Sequence, residues 1–305
     1  MFRHLLVPLD GSLLAESAVA PAASLAGPMR AAITLVHVIE RNAPSEVHSD
    51  RHLATAEEAS AYLAEVARSP VLSGLRVDTH VHTAEVSDVA RSITEHSEEL
   101  VPDLVVMTTH GRGGARRIIF GGIAQQVIAM GKTPVLLVRQ SGKGAAATGR
   151  TCAFEAILAP IDGDPEHEKG LSAAADIARA CGARLHLLMV VPTPGKLSGP
   201  RAAAGMLLPG ATRILLEMDN AGARDYLAAR AGEIAQSGVE VVRETARGDP
   251  SRAIPHAALR LGADLIVMGT HGRAGTGAFW AGSVAARVIA RTRVPLLLVP
   301  LREGP

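Results

Sequence analysis

The chain is written twice. "HLLVPLDGS" at residues 4–12 returns as "AILAPIDGD" at 156–164, "ITLVHVIE" at 33–40 as "LHLLMVVP" at 185–192, and "PDLVVMTTHGRGG" at 102–114 as "ADLIVMGTHGRAG" at 263–275. The ends match too, "KTPVLLVR" at 132–139 against "RVPLLLVP" at 293–300. A duplication on this scale requires each copy to bury its own core in the same architecture, and the 305 residues divide naturally into two domains of about 150 residues. The expected boundaries are residues 1–140 and 153–305, with a small, polar, Gly-rich linker over 141–152.

Within each copy, runs such as "DLVVM" and "DLIVM" are apolar at nearly every position, as strands covered on both faces must be. Between them lie Ala-rich amphipathic stretches, among them "LSAAADIARACG" at 171–182, where Gly182 suits a helix C-cap. Strand and helix in alternation mean a parallel sheet with helices on both faces. The fold class expected is α/β: two tandem doubly wound, Rossmann-like domains, each with a five-stranded parallel sheet. Each repeat ends in an apolar strand, "PVLLV" at 134–138 and "PLLLV" at 295–299, with little after it to cover an open edge. An uncovered edge invites association, so the two last strands are expected to meet as a pseudo-two-fold pair.

Composition narrows the function classes. A formal net charge of +1 with interspersed signs gives no basic patch for a nucleic-acid partner. No stretch approaches the roughly 20 apolar residues of a membrane span, and "MFRHLLVPLDGS" has too short an apolar run for a signal peptide, so a cytoplasmic location is expected. Cys152 and Cys181 form no CxxC and read as small hydrophobes. No metal site is legible.

In doubly wound sheets ligands settle beyond the carboxyl ends of the strands. Asp10 and Asp162 end the first strand of each repeat, and a glycine segment follows the fourth. In the second repeat that segment runs Gly269, two residues, Gly272, nine residues, Gly282-Ser283. Gly269 and Gly272 suit a loop wrapping N–H groups round an anion. Gly282-Ser283 then opens a helix at Val284 whose first N–H groups favour phosphate, and Ser283 could bond that phosphate or cap the helix. "GKT" at 131–133 lacks the earlier glycine of a P-loop, and neither first strand–helix turn carries a dinucleotide fingerprint. Asp10 and Asp162 could accept from a base or sugar, or cap the following helix.

The strand-one Asp, the "THG" segment and the G-2x-G-9x-G-[ST] spacing, all duplicated over nearly the whole chain, resemble the universal stress protein family in its tandem form. In nucleotide-binding members the strand-one Asp and a Val ending strand two flank adenine and ribose, and the glycine segment takes the phosphates. The resemblance therefore implies ATP or another adenine nucleotide, with Mg2+ possible, at Asp162, Val190, Gly269, Gly272, Gly282, Ser283 and Val284. "GDP" at 248–250 also matches the family pattern. The first repeat keeps Asp10, Val38, Gly111 and Gly121 but has Thr108 for the first glycine, Gly122 for the serine, and "AEV" at 84–86 opposite "GDP". A β-branched Thr where φ > 0 could be needed and a missing hydroxyl weaken that copy.

His271 and Arg273 could touch phosphate or serve the local loop, as could His110, Arg116 and Arg117 in the first copy. His80 and His82 share a strand face, the geometry of a metal pair or of an exposed strand end. Residues 192–212 read as a long loop at the crevice mouth, a lid or a plain connection. Nothing supplies an obvious nucleophile or a Walker-type lysine. The expectation is a cytoplasmic nucleotide-binding regulator, a homodimer of tandem chains with an unidentified regulatory protein partner. A slow ATP hydrolase and a nucleotide-independent interaction module are the rival readings.

Overall fold

The computed structural model describes residues 2–42, 46–47, 50–109, 122–139, 154–193, 209–270 and 283–301. The first repeat runs β1 (His4–Pro8), α1 (Leu13–Glu16), α2 (Val19–Met29), β2 (Ala32–Glu40), β3 (Glu46–Val47), β4 (Asp50–Arg51), α3 (Ala56–Ala67), β5 (Arg76–Val86), α4 (Val89–Glu99), β6 (Leu104–Thr109), α5 (Gly122–Met130) and β7 (Val135–Arg139). The second runs β8 (Ala156–Ile161), α6 (Lys169–Cys181), β9 (Arg184–Val191), α7 (Pro209–Ala235), β10 (Val241–Arg247), α8 (Pro250–Leu261), β11 (Leu265–Thr270), α9 (Val284–Ile289) and β12 (Leu296–Pro300).

The described strands of both repeats join in one ten-stranded sheet, in the order β10-β9-β8-β11-β12-β7-β6-β1-β2-β5, and the short β3–β4 hairpin stands apart from it. Each half has the doubly wound order and is parallel throughout. The one antiparallel junction within the sheet is β12 with β7, where Leu297 faces Leu136, Leu296 faces Leu137 and Leu298 faces Val135. Because Leu297 and Leu136 hold the same place in their repeats, a residue of one strand meets its own counterpart at the centre. The flanking pairs exchange symmetrically, which is the signature of a two-fold contact.

The strand alternation divides the core into two layers, each running through both repeats. Leu136 and Leu297 join a layer covered by α2, α3, α6 and α7. Val135, Leu137, Leu296 and Leu298 join the opposite layer under α4, α5, α8 and α9. Leu136 and Leu297 have no exposed surface, and burying each contributes up to about 2 kcal/mol. The layers are stitched across the seam by contact of α2 with α6 and by the Arg139 guanidinium, which donates to the Thr292 carbonyl at 2.7 Å.

Helix ends follow the local chemistry of the sequence. Ser12, Thr55, Asp88, Asp249 and Ser283 each accept a first-turn N–H, and Gly182 ends α6 in the left-handed conformation at φ 66°. At the amino ends of the strands, opposite each repeat's own crevice, Asp103 takes the N–H groups of Arg3 and His4, and Asp264 takes those of Glu155 and Ala156. The loop expected over 192–212 is shorter than the sequence suggests, since α7 already begins at Pro209; residues 194–208 lie outside the described residues. Residues 140–153, which include the expected linker and Cys152, also lie outside them. Cys181 is half-buried at the end of α6, and burial pushes its thiol pKa up. Among the described residues, no helix is long and apolar enough to cross a membrane.

Replacing Leu297 with Pro removes a ladder donor and a buried leucine at the centre of the seam. Urea unfolding is expected to show a loss of about 3–5 kcal/mol, and small-angle scattering should change from one compact body to two separated lobes. An unchanged scattering profile in the variant would mean that the seam does not hold the repeats together.

Candidate functional site

Each repeat opens a crevice at the carboxyl ends of its strands, and the antiparallel seam sends the two crevices to opposite ends of the sheet. In the second repeat the crevice is lined by Asp162, Val190, Gly269, Ser283 and Val284, five of the residues singled out in the sequence, joined by His167 and Arg287. Asp162 does not cap a helix. Its Oδ1 accepts from the Asp164 N–H at 3.1 Å, while Asp164 is the cap, accepting from the Glu166 N–H. The other oxygen, Oδ2, lies 2.6 Å from His167 Nδ1, and that bond raises the His167 pKa above its ordinary value. The pairing favours a protonated His167 ring whose charge Asp162 balances, and Arg287 on the facing helix adds a cation to the crevice wall. Both residues escaped the sequence reading. His167 was findable only as the histidine five positions beyond the strand-one Asp, "DGDPEH".

Ser283 resolves toward its capping role: its Oγ accepts from the Ala286 N–H at 3.1 Å, leaving the hydroxyl proton to be donated elsewhere. Gly248 takes φ 129° and donates to the Val191 carbonyl, Asp249 caps α8, and Pro250 thereby reaches the crevice wall. His271, Gly272, Arg273, Trp280 and Gly282 lie outside the described residues.

The first-repeat crevice is lined by Asp10, Val38 and Thr108, with His37, Glu40 and His52. Val38 and Val190 occupy the same register on their strands. Asp10 Oδ1 accepts from both the N–H and the Oγ of Ser12, and Ser12 caps α1. Gly122 opens α5 just ahead of Ile123 and Ala124, which line the crevice. Gly111, Gly121, His110, Arg116 and Arg117 lie outside the described residues.

Two sequence readings need correction. "AEV" at 84–86 is not the counterpart of "GDP": it is an insertion at the end of β5, where the pairing with β2 shifts between Val38 and Glu40. The counterpart is Ser87-Asp88-Val89, since Asp88 caps α4 as Asp249 caps α8, and it precedes Asp103 by the same distance as Asp249 precedes Asp264. Gly269 is the second correction. It sits inside β11 opposite Val299, outside the left-handed region, so freedom of φ does not explain it. Space does: a Cβ there would stand 2.6 Å from Leu301 Cδ2 and 2.9 Å from the His167 carbonyl oxygen. Gly170 is pressed equally, its missing Cβ falling 2.8 Å from the Gly269 nitrogen. These two glycines let the start of α6 lie directly on the end of β11 and so set His167 against the crevice. Thr108 carries no φ penalty at the matching place in β6. Gly269→Ala is accordingly expected to cost about 1–3 kcal/mol by overpacking, measured by chemical unfolding; an alanine variant as stable as the parent would show that this contact yields freely.

The strand histidines have a third neighbour. His80 and His82 on β5 are partly buried against α4 rather than exposed, and His96 of α4 packs on both, with ring centroids 4.9 and 4.7 Å away. His96 Nδ1 lies 2.8 Å from the Ser92 carbonyl, so its proton is there, and Nε2 accepts from His80 Nε2 at 3.1 Å. Among the described residues, no three His, Cys, Asp or Glu side chains are placed to hold a metal ion. Burial, then His96 and more weakly His82, lower the His80 pKa, with Glu99 opposing them. A depressed histidine pKa means the unfolded chain takes up the proton first. Stability is thus expected to be full above about pH 6.5 and to fall as pH drops below it. A His80→Gln variant should flatten that acid limb in unfolding measured from pH 7.5 to 5; an identical limb would assign the loss to other groups.

Comparison with known proteins bears on the whole chain. The family model for the universal stress protein family matches twice, at residues 1–139 and 153–300. A universal stress protein of Mycolicibacterium smegmatis is 29% identical over 310 aligned positions, covering 97% of this chain and 96% of its own. One of Thermus aquaticus is 34% identical over 152 positions, 48% of this chain and 98% of its own, consistent with a single repeat. Among solved structures, a universal stress protein from Pseudomonas aeruginosa superposes with a TM-score of 0.68 at 20% identity, covering 98% of this chain and 93% of that one. Another, from Archaeoglobus fulgidus, gives 0.65 at 18% identity, covering 97% of this chain and 96% of that one.

Proposed function

As the chain belongs to the universal stress protein family, we propose that its second repeat binds an adenine nucleotide, ATP in the first instance, and that occupancy regulates a partner rather than driving catalysis. The observation that carries this reading is the company kept by Asp162. One crevice gathers a carboxylate for ribose or base, the apolar wall of Val190 and Ile254, and a cationic rim of His167 and Arg287 beside the Ser283 hydroxyl. A nucleotide has the same sequence of demands: hydrogen bonds for the sugar, a flat apolar slot for the base, positive charge for phosphate. His167 can act here as an anion partner, since the bond to Asp162 raises its pKa and favours the protonated ring.

Mg2+, where it accompanies the nucleotide, is held largely by the phosphates themselves. The domain limits at 140 and 153, a homodimer of tandem chains, a cytoplasmic setting and the regulatory protein partner belong to the same reading. His271, Gly272, Arg273 and Gly282 complete the phosphate side in it, as Gly111, Gly121 and Gly122 do in a weaker first copy.

The sign of the pH dependence follows from His167. Its positive charge is present below its raised pKa and lost above it, so ATP affinity should fall as pH rises from 6 to 8, by up to about tenfold for one phosphate contact. The His167→Ala variant should bind more weakly and lose most of this slope, and Arg287→Glu should abolish tight binding. Calorimetry checks both, and quenching or shift of the single tryptophan, Trp280, reports occupancy independently. Unaltered ATP affinity in Arg287→Glu would remove the second-repeat crevice from consideration.

A further inference from the structure

The stretch from α3 to β5 matches the stretch from α7 to β10 without a gap. Ala59, Tyr62 and Leu63 correspond to Ala223, Tyr226 and Leu227, and Gly74, at φ 79°, corresponds to Gly238, at φ 82°. The same alignment puts Val66 where Arg230 stands and Ser69 where Glu233 does, while the turn after the first strand puts Glu16 where Glu168 does. In the second repeat these places form a closed set. The Tyr226 hydroxyl donates to Glu168 Oε1 at 2.6 Å, and the Arg230 guanidinium lies between two carboxylates, its Nε 3.4 Å from Glu168 and a terminal nitrogen 2.5 Å from Glu233. Its Cζ stands 5.4 Å from the centre of the Tyr226 ring. One cation thus meets two carboxylates and an aromatic face.

The first repeat keeps the carboxylate and the ring without that cation. Tyr62 stands against Glu16 as Tyr226 does against Glu168, whereas Val66 carries no charge. Around these positions a cleft of about 490 Å³ opens between α1, α2 and α3, lined by Glu16, Tyr62, Glu65, Val66 and Ser69. Small-ligand sites span roughly 300–1,000 Å³. Of its described lining residues, none is shared with the first-repeat crevice. Glu65, whose counterpart is Ala229, adds a second carboxylate. Ser69 Oγ is buried and has no hydrogen-bond partner among the described residues, a state that costs free energy until something bonds it. Burial foremost, with the negative charges of Asp50, Glu65 and Asp10, raises the Glu16 pKa against the lowering effect of Tyr62. A guest with positive charge and N–H donors answers each of these demands.

We propose that this cleft binds a small guanidinium ion from solution, seated over the Tyr62 ring between Glu16 and Glu65, so that a ligand takes the place that the Arg230 side chain fills in the second repeat. The planar fork of donors suits the carboxylates and the Ser69 hydroxyl oxygen, and Val19, Val66 and Val71 supply apolar wall for an aliphatic tail. The site stands apart from the nucleotide reading and does not depend on it.

Agmatine, a guanidinium on a short alkyl chain ending in an amine, is the probe, titrated in a calorimeter into the full chain at low ionic strength. Saturable binding near one per chain is expected. Putrescine, which keeps the alkyl chain and two positive charges but has no guanidinium, should bind about tenfold more weakly or worse. Glu16→Gln should weaken agmatine by about tenfold or more. Val66→Arg, which supplies the guanidinium from within the chain, should abolish agmatine binding and raise stability in urea unfolding. The absence of saturable agmatine binding, equal affinity for putrescine, or agmatine affinity unmoved in either folded variant would overturn the proposal; Glu16→Gln keeps the test decisive where Val66→Arg does not fold.

Discussion

The antiparallel meeting of β7 and β12 is the contact on which the rest of the molecule depends. Without it each repeat has an open edge made of fully apolar strands, which is an aggregation template in water. With it, two five-stranded sheets become one, and each hydrophobic layer runs from one repeat into the other. The centre is a leucine meeting its own counterpart, Leu136 on Leu297. Self-complementary contacts of this kind serve homodimers; here a single chain supplies both sides.

The crevices are built by devices far less symmetric than the sheet that carries them. Gly269 and Gly170 remove two side-chain carbons so that the start of α6 can rest on β11, and this places His167 next to Asp162. In the first repeat Thr108 and Ala18 stand where Gly269 and Gly170 do, Ala15 stands where His167 does, and His37 and His52 are the imidazoles that line the crevice. The strand-one Asp is common to both, yet its partners differ: a histidine in one repeat, the hydroxyl and N–H of Ser12 in the other. One scaffold thus carries two electrostatic environments.

How much of this was legible before any coordinates depended on whether neighbours in space were neighbours in register. The repeat itself disclosed the sheet, the paired last strands and the lining role of Asp10, Asp162, Val38 and Val190, because strand order carries those positions to one end automatically. Gly269 was legible as a special position but not for its reason, since its crowding comes from Leu301 and the His167 carbonyl, both remote in sequence. His96 escaped because a helix brings it over β5 from sixteen residues away. The three extra residues at 84–86 hid Asp88 as the partner of Asp249, for an ungapped reading cannot see a register shift. Ser283 offered two chemistries in the sequence, and the Ala286 contact shows the capping one while leaving the hydroxyl proton for the other.

The seam also determines which way each crevice faces. In a parallel continuation both would open on the same rim, where one partner could touch two ligands at once. The antiparallel junction turns them to opposite rims, so whatever docks over one crevice is separated from the other by the length of the strands. Between the two crevices lie the touching helices α2 and α6 and the shared leucines of the seam. A molecule arranged this way resembles a balance beam more than a clamp.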